Sequence, residues 1–114
     1  MTIDLFAGLR VRDLEISVHW YSALLGADES FRPNDNEAVW TIGDHSHVYV
    51  LVDPDNAGTG LVTLFADDFD TALATAARGG LEPTTVETYD NGVSKATFHD
   101  PDGNEVGIGG GPAG

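Results

Sequence analysis

The chain of 114 residues contains no cysteine, only five basic residues and no apolar run that approaches the length of a membrane span. The absence of cysteine excludes disulfides and thiolate metal sites. Nineteen acidic residues outnumber the basic ones and give a formal net charge of −14, so nucleic acid and anionic membranes are not expected as partners. The first residues lack a basic stretch followed by an apolar one, which predicts no signal peptide and favours a cytoplasmic protein.

The acidic surplus has two interpretations. It would attract a cationic ligand, or it would only keep the protein soluble. The acidic residues are spread along the chain without forming a block, which favours the second interpretation. With 41% hydrophobic residues, the chain is expected to fold as one compact domain.

An internal repeat relates the two halves of the chain at an offset of 55 residues. Asp13 and Asp68 are equivalent under this offset, and each is placed to cap a helix by accepting hydrogen bonds from free backbone N–H groups. Apolar side chains follow each cap at helical spacing. Gly26 is expected to end the first helix, and the pair Gly79 and Gly80 the second.

Strands account for most of the remaining chain. In the first half we predict strands over residues 5–11, 29–32, 37–42 and 47–52, with turns at 33–36 and 43–44. In the second half the predicted strands are 60–66, 82–88, 93–98 and 104–108, with hairpin turns at 90–92 and 100–103. Residues 52–59 form the linker, and the glycine-rich tail over 109–114 is expected to fray.

This order of elements predicts an α+β fold of two βαβββ modules, over about residues 3–52 and 60–108. The modules are expected to form a curved mixed sheet, with the helices on its convex face and a ligand cleft on its concave face. Because an isolated concave sheet would expose apolar side chains to water, a homodimer is expected.

Two motifs resemble those of the vicinal oxygen chelate superfamily, also called the glyoxalase/bleomycin-resistance/dioxygenase superfamily. Residues 11–26, which include Val11, Asp13-Leu14, Ser17, Trp20-Tyr21 and Leu24-Leu25-Gly26, are similar to its opening motif. Residues 98–106, Phe-His-Asp-Pro-Asp-Gly-Asn-Glu-Val, are similar to its closing hairpin.

The resemblance implies where a metal site would fall. Members of the superfamily commonly hold a divalent metal through His and Glu, and the metal polarises vicinal oxygens of the substrate. The four ligand positions correspond to Phe6, Tyr49, Leu61 and Gly107, which are unsuitable as metal ligands. The resemblance therefore implies the metal-free, ligand-binding branch that includes bleomycin-type antibiotic-sequestering proteins, with no metal and no cofactor.

Strand alternation selects candidate binding residues. His47 and Tyr49 are expected to face the cleft near Phe6, with Leu61 as the repeat equivalent of Phe6. Arg10, on the same strand face as Phe6, would bind an anionic group or pair with an acidic neighbour. One further aromatic residue, Trp40, would stack on a flat ligand or pack in the core or a dimer interface.

Three functions are compatible with these residues. The favoured one is a metal-independent protein that binds a hydrophobic or cationic, antibiotic-like compound in the cleft. The second is a metal-independent isomerase or lyase that uses His47, Tyr49 or Glu105 as acid or base. The third is a metal-dependent lyase or dioxygenase with an atypical site built from His45, His47 and His99.

Overall fold

Two successive βαβββ modules make up the fold of the computed structural model, which describes residues 1–112. The first module contains β1 (Leu5–Val11), α1 (Leu14–Leu25), β2 (Phe31–Asn34), β3 (Glu37–Gly43) and β4 (Ser46–Val52). The second contains β5 (Leu61–Ala66), α2 (Phe69–Arg78), β6 (Thr85–Thr88), β7 (Ser94–His99) and β8 (Glu105–Gly110). A single 3-10 turn, Pro54–Asn56, lies in the linker.

Hydrogen bonding divides the strands into two mixed sheets of four. The first sheet has the order β1-β4-β3-β2, and the second has the equivalent order β5-β8-β7-β6. In each sheet the first and last strands of the module pair in parallel and the other pairs are antiparallel. The α+β class and the two modules are as predicted. The expected single curved sheet is instead two sheets that do not share a strand.

Both helices begin at the aspartates that the repeat identified. The Asp13 carboxylate accepts a hydrogen bond from the backbone N–H of Ile16 at 2.9 Å, and Asp68 accepts one from Thr71 at 3.0 Å. Gly26 ends α1 in the left-handed conformation with φ of 69°, which a residue with a Cβ adopts only at a cost. The two caps therefore set the start of each helix at the same position of the repeat.

One apolar core joins the modules. It contains Tyr21 and Leu24 of α1, Trp40 of β3, Ala76 of α2 and Phe98 of β7, each at most 2% exposed. The two helices contact each other, and each covers one face of its own sheet. Since the helix-covered faces share one core, we infer that the other face of each sheet points outward.

A buried polar cluster at the 100–103 turn also connects the modules. The carboxylate of Asp100, only 5% exposed, accepts a hydrogen bond from the Tyr21 hydroxyl at 2.8 Å and one from the Asn104 amide at 2.8 Å. The Asn104 amide also donates to the carbonyl of Arg10 at 2.9 Å, and its oxygen accepts from the N–H of Gly60 at 2.7 Å. The closing motif thus ties β1, α1 and the linker to the second module.

Three strands differ from the predictions by two or more residues at one or both ends. β2 runs over Phe31–Asn34 instead of 29–32 and includes Pro33, which an edge strand tolerates because its outer N–H groups need no partner. β6 begins at Thr85 instead of residue 82, after Pro83. β8 continues through Gly110, and Gly109 is buried opposite Phe65, so this part of the expected frayed tail is a paired strand. Residues 113 and 114 of that tail lie outside the described residues.

Neither α1 nor α2, the helices formed within residues 1–112, combines the length and the apolar character that a membrane span requires.

Candidate functional site

The outward face of the first sheet carries most of the predicted site residues. Alternation along β1 buries Leu9 and Val11 toward the helices and leaves Phe6 and Arg10 on the opposite face. The alternation along β4 places Val48 and Val50 in the core and His47, Tyr49 and Leu51 outward. Phe6 pairs in register with His47, and Gly8 with Tyr49. We call this surface, defined by Phe6, Gly8, Arg10, Thr41, His47 and Tyr49, the outer face of the first sheet.

His47 is held on three sides. Its ring stacks on Phe6 with centroids 4.2 Å apart and an interplanar angle of 14°. Its Nε2 lies 2.9 Å from Oδ2 of Asp4, and its Nδ1 lies 3.0 Å from the Thr41 hydroxyl oxygen. An ionised carboxylate only accepts hydrogen bonds, so the neutral imidazole donates from Nε2 to Asp4 and accepts at Nδ1 from Thr41. Both ring nitrogens of His47 therefore have hydrogen-bond partners within the chain.

Asp4 joins two histidines. Its second oxygen, Oδ1, lies 2.9 Å from Nδ1 of His45. Hydrogen bonds from His47 and then His45 hold the pKa of the Asp4 carboxyl below its usual value. The side chain of His47 is only 10% exposed, whereas that of His45 is 59% exposed. Asp4 thus fixes the less exposed imidazole, and with it the orientation of the ring that supports Phe6.

Tyr49 lies across Gly8. A Cβ added to Gly8 would stand 2.4 Å from Cζ of Tyr49 and 2.6 Å from its hydroxyl oxygen, which is closer than any real Cβ contact. The absence of a side chain at residue 8 is what allows the tyrosine ring to cover β1. The outer face of the first sheet thus carries two aromatic residues, Phe6 and Tyr49, beside the glycine.

The remaining predicted residues occupy three different settings. Arg10 lies on the outer face with Nε 3.0 Å from a carboxylate oxygen of Asp53, so it pairs with an acidic neighbour. Leu61 is 68% exposed on the outward face of the second sheet. Trp40 is 1% exposed beneath α1, where its indole N–H donates to the Ser22 hydroxyl at 3.3 Å. Of the settings that the sequence left open for Trp40, the structure shows the core, so this residue does not lie on the outer face.

The outer faces do not fit a divalent metal. The positions to which the resemblance assigns ligands carry Phe6 and Tyr49 on the first sheet and Leu61 and Gly107 on the second, and these offer no suitable donor. The Lys95 side chain lies over Gly107, since an added Cβ would meet Cε of Lys95 at 2.7 Å. Across residues 1–112, no group of three or more His, Asp or Glu side chains is arranged to hold a metal ion.

The residues named for the two alternative functions lie on two different sheets. His99 lies on β7 of the second sheet, where its Nδ1 is 2.8 Å from the Thr84 hydroxyl, whereas His45 and His47 belong to the first sheet. Glu105 begins β8 and lies 3.7 Å from His99, so it belongs to the second sheet and not to the surface that carries His47 and Tyr49.

Two residues of the site were not found from the sequence. Asp4 precedes β1 and Thr41 lies on β3, and neither belongs to a motif. A partial signal existed for Thr41, because strand pairing of β3 with β4 places it opposite His47. No pattern in the sequence indicated that Asp4 would reach both histidines.

A groove of about 450 Å³ lies on the other side of the first sheet, between the modules. It is lined mainly by apolar side chains of both modules, including Leu24, Ile42 and Leu64. None of the predicted site residues lines this groove. The aromatic surface and the groove are therefore separate features.

The paired βαβββ modules, each with one sheet face covered by its helix and one open face, define the class: an α+β two-module protein. The chain belongs to the Glyoxalase/Bleomycin resistance protein/Dioxygenase superfamily, whose family model matches residues 2–108. No curated protein matches the chain.

Solved structures share this architecture over almost the whole chain. A glyoxalase/bleomycin resistance protein from Catenulispora acidiphila DSM 44928 is 40% identical, with a TM-score of 0.94 over 97% of this chain and 100% of the other. A bleomycin-binding protein complexed with bleomycin is 21% identical, with a TM-score of 0.73 over 96% and 98%. A lactoylglutathione lyase from Agrobacterium tumefaciens is 16% identical, with a TM-score of 0.76 over 97% and 95%. The last two likenesses concern the fold alone.

Proposed function

We propose that this protein binds a hydrophobic or cationic, antibiotic-like small molecule on the outer face of the first sheet, without a metal ion. The observation that carries the proposal is an aromatic surface at positions to which the resemblance assigns metal ligands. Phe6 and Tyr49 occupy two of those positions, Phe6 stacks on His47, and the Tyr49 ring covers Gly8. An apolar surface with few polar groups is typical of ligand sites.

Charge and fold support the same proposal. The net charge of −14 attracts a cationic compound. A bleomycin-binding protein of the same fold was solved in complex with bleomycin, which supports a ligand of this kind. A cytoplasmic role in antibiotic resistance belongs to this proposal, and resistance of a host cell that expresses the chain would test it.

We also propose that the binding unit is a homodimer. The outward faces carry large exposed apolar side chains: Phe6 is 48% exposed, Leu61 68% and Phe65 69%. In water such a surface is costly, and a second copy would cover it. Pairing the first sheet of one chain with the second sheet of its partner would turn two open faces into an enclosed cleft.

The test is calorimetric titration of metal-free bleomycin into the purified protein, with and without chelator. We expect saturable binding that chelator does not change, and a compound recovered chemically unaltered by mass spectrometry. The variant Phe6→Leu should bind more weakly than Phe31→Leu, a matched control since Phe31 is also 48% exposed but lies on β2, the opposite edge strand.

Two results would refute the proposal. One is about one equivalent of metal per chain together with chelator-sensitive melting, which would restore a metal-dependent function. The other is chemical conversion of the bound compound, which would make the protein an enzyme.

A further inference from the structure

His47 covers one face of the Phe6 ring and leaves the other face free, and this free face indicates which ligand can bind. β1 is the edge strand of the first sheet and β4 is its inner neighbour. Phe6 and His47 are paired in register across these strands, and their rings are nearly parallel at 4.2 Å. His47 therefore covers the face of the Phe6 ring that is turned toward the sheet. The other ring face is turned past the edge strand, in agreement with the 48% exposure of Phe6.

The imidazole of His47, which lies behind the Phe6 ring, is held rigidly. Asp4 and Thr41 occupy both nitrogens of His47, so the imidazole cannot turn without losing two hydrogen bonds. In the neutral tautomer fixed by Asp4, the imidazole carries no charge, and the adjacent carboxylate is negative. A ring that stacks on the free face of Phe6 thus meets an aromatic surface backed by negative charge.

We propose that the ligand of this site contains a planar aromatic ring bearing a positive charge, which stacks on the free face of Phe6 and is rejected when His47 is protonated. This inference rests on the proposed function and names its ligand class. The positive ring is attracted by the face of Phe6 and by Asp4. Protonation of His47 places a positive charge directly behind Phe6 and cancels the charge of Asp4.

The titratable groups around His47 are few. Asp4 approaches from the segment before β1, and His45 contacts the second oxygen of Asp4. From β3 the neighbour is Thr41, and from β1 it is Phe6, neither of which is charged. His45 is much more exposed than His47, so any charge on it is better screened.

The distance between the ligand ring and the imidazole of His47 sets how far protonation of His47 lowers the affinity for a cation. With the Phe6 ring 4.2 Å from His47, a stacked ligand ring would lie about 9 Å from the imidazole, assuming usual aromatic spacing. Two unit charges at that distance change an equilibrium by a factor of about two in a water-like dielectric and about 25 at an effective dielectric of about 20. We therefore expect protonation of His47 to lower the affinity of a cation by a factor between about two and 25.

The experiment compares two fluorescent probes of the same planar shape, N-methylacridinium, which is permanently cationic, and N-methylacridone, which is neutral. Affinities are measured from about pH 8 to about pH 5.5, across the titration range of imidazole. We expect the cation to bind more tightly than the neutral probe at pH 8, and only the cation to lose affinity on acidification. Phe6→Leu should weaken both probes, whereas Phe31→Leu should weaken neither.

His47→Asn tests the origin of the pH dependence. Its amide can still bond to Thr41 or Asp4 but does not titrate, so the loss of cation affinity at low pH should disappear. His45→Asn should retain most of that loss. Equal affinity for the two probes at pH 8, a pH dependence that persists in His47→Asn, or indifference to Phe6→Leu would overturn the inference. If bleomycin still binds the wild-type chain without metal and depends on Phe6, only the ligand class is wrong; if it does not bind, the proposed function itself fails.

Discussion

Replacing Tyr21 by Phe removes a single oxygen atom from the polar cluster that joins the two modules. Tyr21 is fully buried, and its hydroxyl donates to the Asp100 carboxylate at 2.8 Å. Burial and then the charge of Asp100 raise the pKa of the Tyr21 hydroxyl, so it remains a donor at any ordinary pH. In the variant, one oxygen of a carboxylate that is 5% exposed loses one of its two donors, and the Asn104 amide remains.

The loss in free energy of unfolding expected for Tyr21→Phe follows from the charge of the Asp100 carboxylate, which accepts the hydrogen bond. A hydrogen bond to a charged group contributes about 1.5–3 kcal/mol to the free energy of unfolding. For a chain of this size that loss corresponds to a fall in Tm of about 6–12 °C. Urea unfolding followed by circular dichroism measures the free energy, and thermal melting measures Tm. The transition midpoint should move while the m-value stays constant, because the fold and its buried area are unchanged.

Tyr89 provides the matched control, because it is 46% exposed and its replacement by Phe removes the same atom from the surface. We expect Tyr89→Phe to change the free energy of unfolding by less than about 0.5 kcal/mol. Equal stability of Tyr21→Phe and wild type would show that the cluster does not hold the modules together. Two separate unfolding transitions in the wild type would contradict the prediction that the modules form one domain.

Three further predictions concern the site and the assembly. Gly8→Ala should lower the affinity for bleomycin at least tenfold with little loss of stability, because the new Cβ displaces the end of the Tyr49 side chain; unchanged affinity in calorimetry would exclude Tyr49 from the site. Phe65→Glu should convert the dimer to a monomer in light scattering, since it places a charge on an apolar outward face; a wild-type monomer would contradict the proposed assembly. The Asp4 carboxyl should titrate below 3.8 by NMR: its folded pKa is depressed, so its stabilising bonds are complete above the ordinary value and are lost as the pH falls through the lower folded one.

Local patterns in the sequence determined most of the secondary structure. The repeat at an offset of 55 residues identified both helix caps, because an aspartate before an apolar helical stripe satisfies backbone N–H groups whatever the tertiary context. Strand alternation predicted that His47 and Tyr49 lie on the same face as Phe6, since the period of two is a property of the extended backbone. The resemblance to the superfamily assigned its metal-ligand positions to residues such as Leu61, and this assignment remains a prediction.

Tertiary packing decided which surface each side chain finally occupies. Trp40 alternates like any strand residue, and only the position of α1 above β3 showed that it belongs to the core. Asp4 lies outside every regular element, so its bonds to His45 and His47 depended on strand pairing that brings β1 beside β4. Strand pairing within each module divides the strands into two sheets, and the two helices contact each other between the modules. Local sequence specifies the conformation of a segment, whereas contacts between segments distant in the chain arise only when the apolar faces are buried together.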